Sequence, residues 1–335
     1  MYNDETLETS MNNSNGRWSS QNRQFAEDLF QRGLDCYVND NFTEAFHWLS
    51  LAANYEHPEA QRLVGRLLFT GEGCTKDVTK AVEYFRKAAD EGVPAAMFEL
   101  STCYYQGVGV ERNMDEFVRL LVAAAEAGYA PAAESLGMAY REGSGVEQDY
   151  VQAVKWFRIA AEKGLPESMY ALSVRYEYGQ GVEQNTAERM QWLTKAAEAG
   201  HMIAQRRLGD AYNWGKGVPI DRSLGFYWCW KAANQGDAEA CYLVGSSYQL
   251  GEGVEKDIDA AKSWLKKAAD QDYTEAIPRL SSILLCEKTQ TAFNEAIQLL
   301  KRGTDLGDKE CKHGLELLRE IQDQRIPLED LPGNL

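Results

Sequence analysis

Two glycines separated by one residue recur along this chain at a constant step of 36 residues: Gly71/Gly73, Gly107/Gly109, Gly143/Gly145, Gly179/Gly181, Gly215/Gly217 and Gly251/Gly253. A step of that size held through six copies restricts the chain to architectures built by stacking one small supersecondary unit. Other columns keep the step. Gly92, Gly128, Gly164, Gly200 and Gly236 close one segment of each copy, and alanine pairs such as Ala88/Ala89, Ala160/Ala161 and Ala232/Ala233 precede them. Trp48, Trp156, Trp192, Trp228 and Trp264 share a column with Tyr84, Leu120 and Leu300.

The spacing within a copy makes the unit a pair of helices. Ala132, Leu136, Ala139 and Tyr140 fall on one face of a first segment, and Ala153, Trp156, Phe157, Ala160 and Ala161 on one face of a second. The column Asp77, Asn113, Asp149, Asn185, Asp221 and Asp257 contains only Asp or Asn and sits just before the second segment, where a short side chain accepts bonds from the free N–H groups of a first helical turn. The paired glycines fall where the first helix must end and the chain reverse. The stretch "GVGVERN" at 107–113 therefore reads as an inter-helix turn ending in an N-cap. A phosphate-binding loop is needed once, not six times, and a dinucleotide fold needs a preceding strand that no alternating β-branched run supplies. The stretch from Gly209 to Lys216 has one residue too many between its glycines for a P-loop and is followed by Gly217 instead of Ser or Thr.

These columns, carried by "ALSVRYEYGQGVEQN" with "MQWLTKAAEAG" and by "ESLGMAYREGSGVEQDYVQAVKWFRIAAEKG", resemble the SEL-one-like repeat family, a relative of the tetratricopeptide repeat. The expected fold is all-α, a right-handed α-solenoid of 36-residue helix-turn-helix repeats. Residues 57–272 form six such repeats, 22–56 a degenerate N-terminal capping repeat that lacks the glycine pair, and 273–325 a degenerate repeat with a C-terminal capping helix. Residues 1–21 and 326–335 are expected to be flexible.

Composition bounds the partners. The net charge of −16 over 335 residues opposes nucleic acid or an acidic membrane surface as partner and suits a neutral or basic protein. No run of about eighteen apolar residues occurs, and "MYNDETLETSMNNSNGRWSS" lacks the basic start and apolar centre of a secretory signal, so no membrane insertion and a cytoplasmic location are expected. Cys36, Cys74, Cys103, Cys229, Cys241, Cys286 and Cys311 are odd in number and share no spacing, which reads as buried, reduced thiols without disulfide or zinc.

A solenoid offers a long curved face instead of a closed pocket, so recognition is expected on its concave groove. Four columns of the first helices point away from the core face; one, just inside the helix start, is mostly small or polar, and the others hold Phe98, Glu134, Tyr170, Arg206, Tyr242; then Thr102, Met138, Val174, Asp210, Ser246; then Gln106, Glu142, Tyr178, Trp214, Leu250. They vary between copies while the core columns do not. The candidate partner-binding residues are Phe98, Tyr170, Val174, Tyr178, Arg206, Trp214, Tyr242 and Leu250, with Arg175 and Arg207 nearby, because exposed aromatic and arginine clusters have the composition of binding hot spots. The competing reading is that these rings pack laterally between neighbouring first helices.

Catalysis finds little support. Some secreted members of the resembled family have been linked to β-lactam binding, which gives interest to Ser263-Trp-Leu-Lys266, yet Ser263 shares its column with Glu83, Arg119, Lys155, Gln191 and Tyr227 and so faces solvent. His47, His57, His201 and His313 show neither HExxH nor i, i+4 pairing, so no metal and no cofactor are expected. The resemblance implies a non-enzymatic scaffold or adaptor that binds a peptide or partner protein. An inhibitor or immunity-type protein capping one toxic partner is the alternative, and a hydrolase of the β-lactamase type the third.

Overall fold

The computed structural model describes residues 20–323, and among them every regular element is an α-helix. The segments expected to be flexible fall outside these residues, except that the first helix already begins at Ser20. Two compact units divide the chain, one ending at Lys163 and the other beginning at Gly164.

The first unit holds α1 (Ser20–Val38), α2 (Phe42–Asn54), α3 (Pro58–Thr70), α4 (Val78–Asp90), α5 (Pro94–Gln106), α6 (Met114–Glu126), α7 (Ala130–Glu142) and α8 (Tyr150–Glu162). The second holds α9 (Pro166–Tyr178), α10 (Thr186–Glu198), α11 (Met202–Trp214), α12 (Arg222–Asn234), α13 (Ala238–Leu250), α14 (Ile258–Ala269), α15 (Ala276–Cys286), α16 (Gln290–Asp305) and α17 (Lys309–Asp323). In each unit an odd helix packs most closely on the even helix that follows it, and each hairpin then packs on the next. Each unit is thus a length of the expected α-solenoid.

The residues dictate this locally. Asn113 accepts from the N–H groups of Asp115 and Glu116 at 3.1 Å, and Asp149 accepts from Val151 and Gln152 at 2.8 and 3.1 Å, so the Asp/Asn column caps the even helices. The two glycines of each pair have different tasks. Gly107 ends α5 in the left-handed region at φ 71°, donating its N–H to the Cys103 carbonyl at 2.8 Å. Gly109 also has φ 71°, but a Cβ there would stand 2.4 Å from the carbonyl oxygen of Val78, the first residue of α4. The second glycine lets the turn rest directly on the backbone of the preceding hairpin.

Within a hairpin the core is built from the expected faces: Ala132, Leu136 and Ala139 of α7 bury against Ala153, Trp156, Phe157, Ala160 and Ala161 of α8. A further column, Gly65, Ser101, Gly137, Ser173, Gly209, Gly245 and Ser281, holds only Gly or Ser and is buried throughout. It marks the place where the two helices of a hairpin approach most closely. A Cβ on Gly137 would lie 2.8 Å from the Phe157 ring, and one on Gly65 2.7 Å from that of Phe85.

Candidate functional site

The three variable columns behave differently in the structure. Phe98, Tyr170, Arg206 and Tyr242 of the first column each reach a residue 31 positions further on, in the turn before the next odd helix. The Phe98 ring lies 5.5 Å from that of Tyr129, and Tyr170 stacks on His201 at 4.6 Å. Arg206 donates from Nε to Asp237 at 3.1 Å and also pairs with Glu239, while Tyr242 lies 5.4 Å from Tyr273. The Tyr242 hydroxyl accepts from Arg279 Nε at 2.9 Å.

Several of the partner residues serve twice. Asp237, nearly buried, accepts the Ala240 N–H at 2.7 Å as the N-cap of α13 while it receives Arg206. His201 accepts the Ala204 N–H at Nδ1, 3.0 Å, and turns Nε2 to Glu167 at 2.9 Å; both bonds together require the Nε2–H tautomer. His57 repeats the arrangement in the first unit, capping α3 at Ala60, facing Glu27 at 3.1 Å and stacking on Phe30 at 4.3 Å. This column clasps one hairpin to the next. Phe98, Tyr170, Arg206 and Tyr242 are accordingly half-buried and already engaged.

Val174 of the second column is also half-buried, as are Thr102, Met138, Asp210 and Ser246. Burial and the nearby Glu239 raise the Asp210 carboxyl above its ordinary range. The third column is different. Its members are the last residues of the odd helices, each followed by a glycine cap in the left-handed region, so no further turn of helix covers them. In the first unit they are Thr70, Gln106 and Glu142; in the second, Tyr178, Trp214 and Leu250 are 62%, 63% and 57% exposed.

Ile220 joins this row. It is 64% exposed, and its Cγ1 stands 3.1 Å from where a Cβ on Gly215, the residue after Trp214, would be. Sequence reasoning passed over it, although its column otherwise holds Lys76, Arg112, Gln148, Gln184 and Lys256. Beside Tyr178 a polar cavity of about 250 Å³ is lined by Tyr176, Glu177, Thr186, Arg189 and Lys216. Glu177 there receives Arg207 at 3.2 Å and Arg189 at 3.7 Å. The row is apolar at its centre with a charged border, the usual anatomy of a protein contact.

The positions considered for chemistry lie apart. Ser263 is exposed on α14, and Lys266 pairs with Glu295 at 3.4 Å instead of with the serine. His57 and His201 are helix caps, and His47 and His313 are exposed. Among the described residues no group of three or more His, Cys, Asp or Glu is arranged to hold a metal ion, and no helix is long and apolar enough to cross a membrane. Cys103, Cys229, Cys241 and Cys311 are buried and Cys36 and Cys74 half-buried, but Cys286, expected to be buried, is exposed as the last residue of α15, in the column of Leu250.

The Sel1 repeat family model matches residues 26–54, 58–93, 94–129, 130–165, 166–201, 203–237 and 238–273. The first of these is the segment expected to be a degenerate cap. A protective antigen of uropathogenic Escherichia coli displaying an SLR fold is 30% identical with a TM-score of 0.78, over 88% of this chain and 66% of that one. This chain thus spans just under two thirds of that antigen. A Sel1 repeat protein from Oxalobacter formigenes is 36% identical with a TM-score of 0.65, over 75% of this chain and 74% of that one. A comparison with curated protein sequences finds no match.

Proposed function

Because the chain belongs to the Sel1 repeat family, whose repeats generally mediate protein–protein interaction, we propose that it is a non-catalytic scaffold that grips a partner protein or peptide through the row Tyr178, Trp214 and Leu250 together with Ile220. One observation carries this reading. At a single column the first unit exposes Thr70, Gln106 and Glu142, while the second exposes three large apolar side chains in succession. Isolated exposed apolar residues are common, but a run at a fixed structural position is a recognition feature.

Packing does not require these residues, since the equivalent positions of the first unit accept polar ones. Binding is then the reason for their exposure. The partner presents an apolar segment in a neutral or basic surround, which suits a chain of net charge −16. Seven cysteines without a disulfide support a reducing compartment such as the cytoplasm as the place of the interaction.

The test is cross-linked purification of the protein from its own cells with mass spectrometry, comparing wild type with Tyr178→Glu/Trp214→Gln/Leu250→Thr. Each replacement is one that another copy carries at that column, so the fold is preserved. A set of partners captured by wild type and lost by the variant is expected; identical recovery from both would remove the row from the interface. Recovery of one stoichiometric partner whose activity is blocked would make the protein a capping inhibitor instead of an adaptor.

A further inference from the structure

The outer face of α12 departs from every other even helix. Leu224, Tyr227 and Trp230 follow one another at helical spacing and are 40%, 42% and 41% exposed. Other repeats place Lys80, Glu116 and Glu188 at the first of these positions, Glu83, Arg119 and Gln191 at the second, and Arg86, Arg158 and Thr194 at the third, with Ala260 and Val122 as single apolar members of their helices. Those are the residues of a solvated helix face. None of Leu224, Tyr227 and Trp230 belongs to the buried side of its hairpin, which is formed by Gly225, Cys229, Ala232 and Ala233.

A second feature flanks the stripe. Lys195, Lys231 and Lys267 occupy one column at the C-terminal ends of α10, α12 and α14, each holding its ammonium over the tryptophan three residues earlier, at 4.2, 5.1 and 3.7 Å from Trp192, Trp228 and Trp264. Lys231 also lies 4.9 Å from the Tyr227 ring, so the charge touches the stripe itself. A lysine at a helix C-terminus interacts favourably with the helix dipole, which explains its presence. It does not explain the missing partners: in a chain with 51 acidic residues, none of the three takes part in an ion pair among the described residues. Of the seven basic residues on the three helices, Arg189, Arg222, Lys262 and Lys266 pair with Glu177, Glu252, Glu287 and Glu295, so the three column lysines are the ones left outside an ion pair among the described residues.

We propose that the outer face of α12 is a second interaction surface, distinct from the row on the odd helices, and that it takes an acidic amphipathic helix from a partner protein. Apolar residues of that helix, at three- and four-residue spacing, cover Leu224, Tyr227 and Trp230, and its carboxylates reach the lysines. Charge and spacing select this occupant over two others. Pairing with a second copy about a two-fold axis would set Lys231 of each copy near that of the other. An anionic bilayer is a fluid surface without side chains at helical spacing to match Leu224, Tyr227 and Trp230.

Fluorescence anisotropy with a labelled peptide tests the proposal. One peptide carries leucine and phenylalanine at three- and four-residue spacing with glutamate on both flanks; a matched peptide carries lysine in place of the glutamates. The acidic peptide is expected to bind and the basic one not, with affinity falling as salt rises. Tyr227→Gln/Trp230→Thr, which installs the residues α10 holds at these positions, is expected to weaken binding about tenfold or more at unchanged helical content by circular dichroism. Lys195→Gln/Lys231→Gln/Lys267→Gln is expected to flatten the salt dependence. The variant Tyr178→Glu/Trp214→Gln/Leu250→Thr is expected to bind the acidic peptide like wild type, which keeps failure of this surface distinct from failure of the other. Absence of acidic-peptide binding, equal binding of both peptides, indifference to the α12 variant, or stripe-dependent binding of phosphatidylserine vesicles would each overturn it.

Discussion

Gly128 and Gly109 both hold a positive φ, yet alanine would meet different surroundings at each. Nothing lies within 4 Å of a Cβ on Gly128, so Gly128→Ala costs only the left-handed conformation, about 1 kcal/mol. At Gly109 the same strain is joined by the Val78 carbonyl at 2.4 Å, a backbone atom that moves only with its helix, and the expected loss is about 3 kcal/mol or more. Urea denaturation of the two variants decides it; equal losses would mean that the second glycine serves the turn alone. The cysteines give a second expectation at this scale. Burial pushes the Cys103 thiol up to about 11 and raises that of Cys229, whereas Cys286 is exposed. Iodoacetamide should modify Cys286 in the native protein and spare Cys103 and Cys229 until urea unfolds it, as followed by peptide mass mapping. The Asp/Asn column was legible as caps from its composition alone, because few residue types suit an N-cap. The separate tasks of the two glycines were not, since the second depends on a contact with another hairpin.

The helices carry their own bookkeeping of charge. In the first unit Glu99 of α5 meets Arg62 and Arg66 of α3 at 3.2 and 3.7 Å. The arginines lower its pKa, but burial outweighs them and pushes the carboxyl up to about 7, and its Oε2 has no hydrogen-bond partner. The folded state therefore holds this proton more tightly than the unfolded state, where the group titrates near 4.5. Its contribution to stability falls as pH rises from about 4.5 to about 7 and stays low above that. Glu99→Gln, which mimics the neutral acid, should gain in urea midpoint relative to wild type at pH 8 compared with pH 5; a gain for wild type at pH 8 would show that the ion pairs dominate. Between hairpins, the clasps explain why half of the expected recognition residues turn inward. A period of 36 reveals equivalent positions but hides partners 31 residues apart, such as Arg206 and Asp237. The Gly/Ser column at the helix crossing was equally open to view and was missed, because small residues carry no hydrophobic signal.

For the whole molecule, the repeat period made the architecture legible, since stacking is the only way such short hairpins can each bury an apolar face. The division after Lys163 left no mark in composition and could not be read. The surface was legible in part. Tyr178, Trp214 and Leu250 combine a variable column with the last position before a left-handed glycine, and both facts stand in the sequence; Phe98, Tyr170, Arg206 and Tyr242 share the variability without the exposure. Variation that joins hairpins is thus distinct from variation that faces outward. Thermal melting of two variants measures that separation most directly. Tyr242→Ala, which loses the Tyr273 contact and the Arg279 bond, should lower stability by about 2 kcal/mol, while Tyr178→Glu/Trp214→Gln/Leu250→Thr should melt like wild type. A triple variant that melts well below wild type, beside a Tyr242→Ala protein that does not, would contradict it.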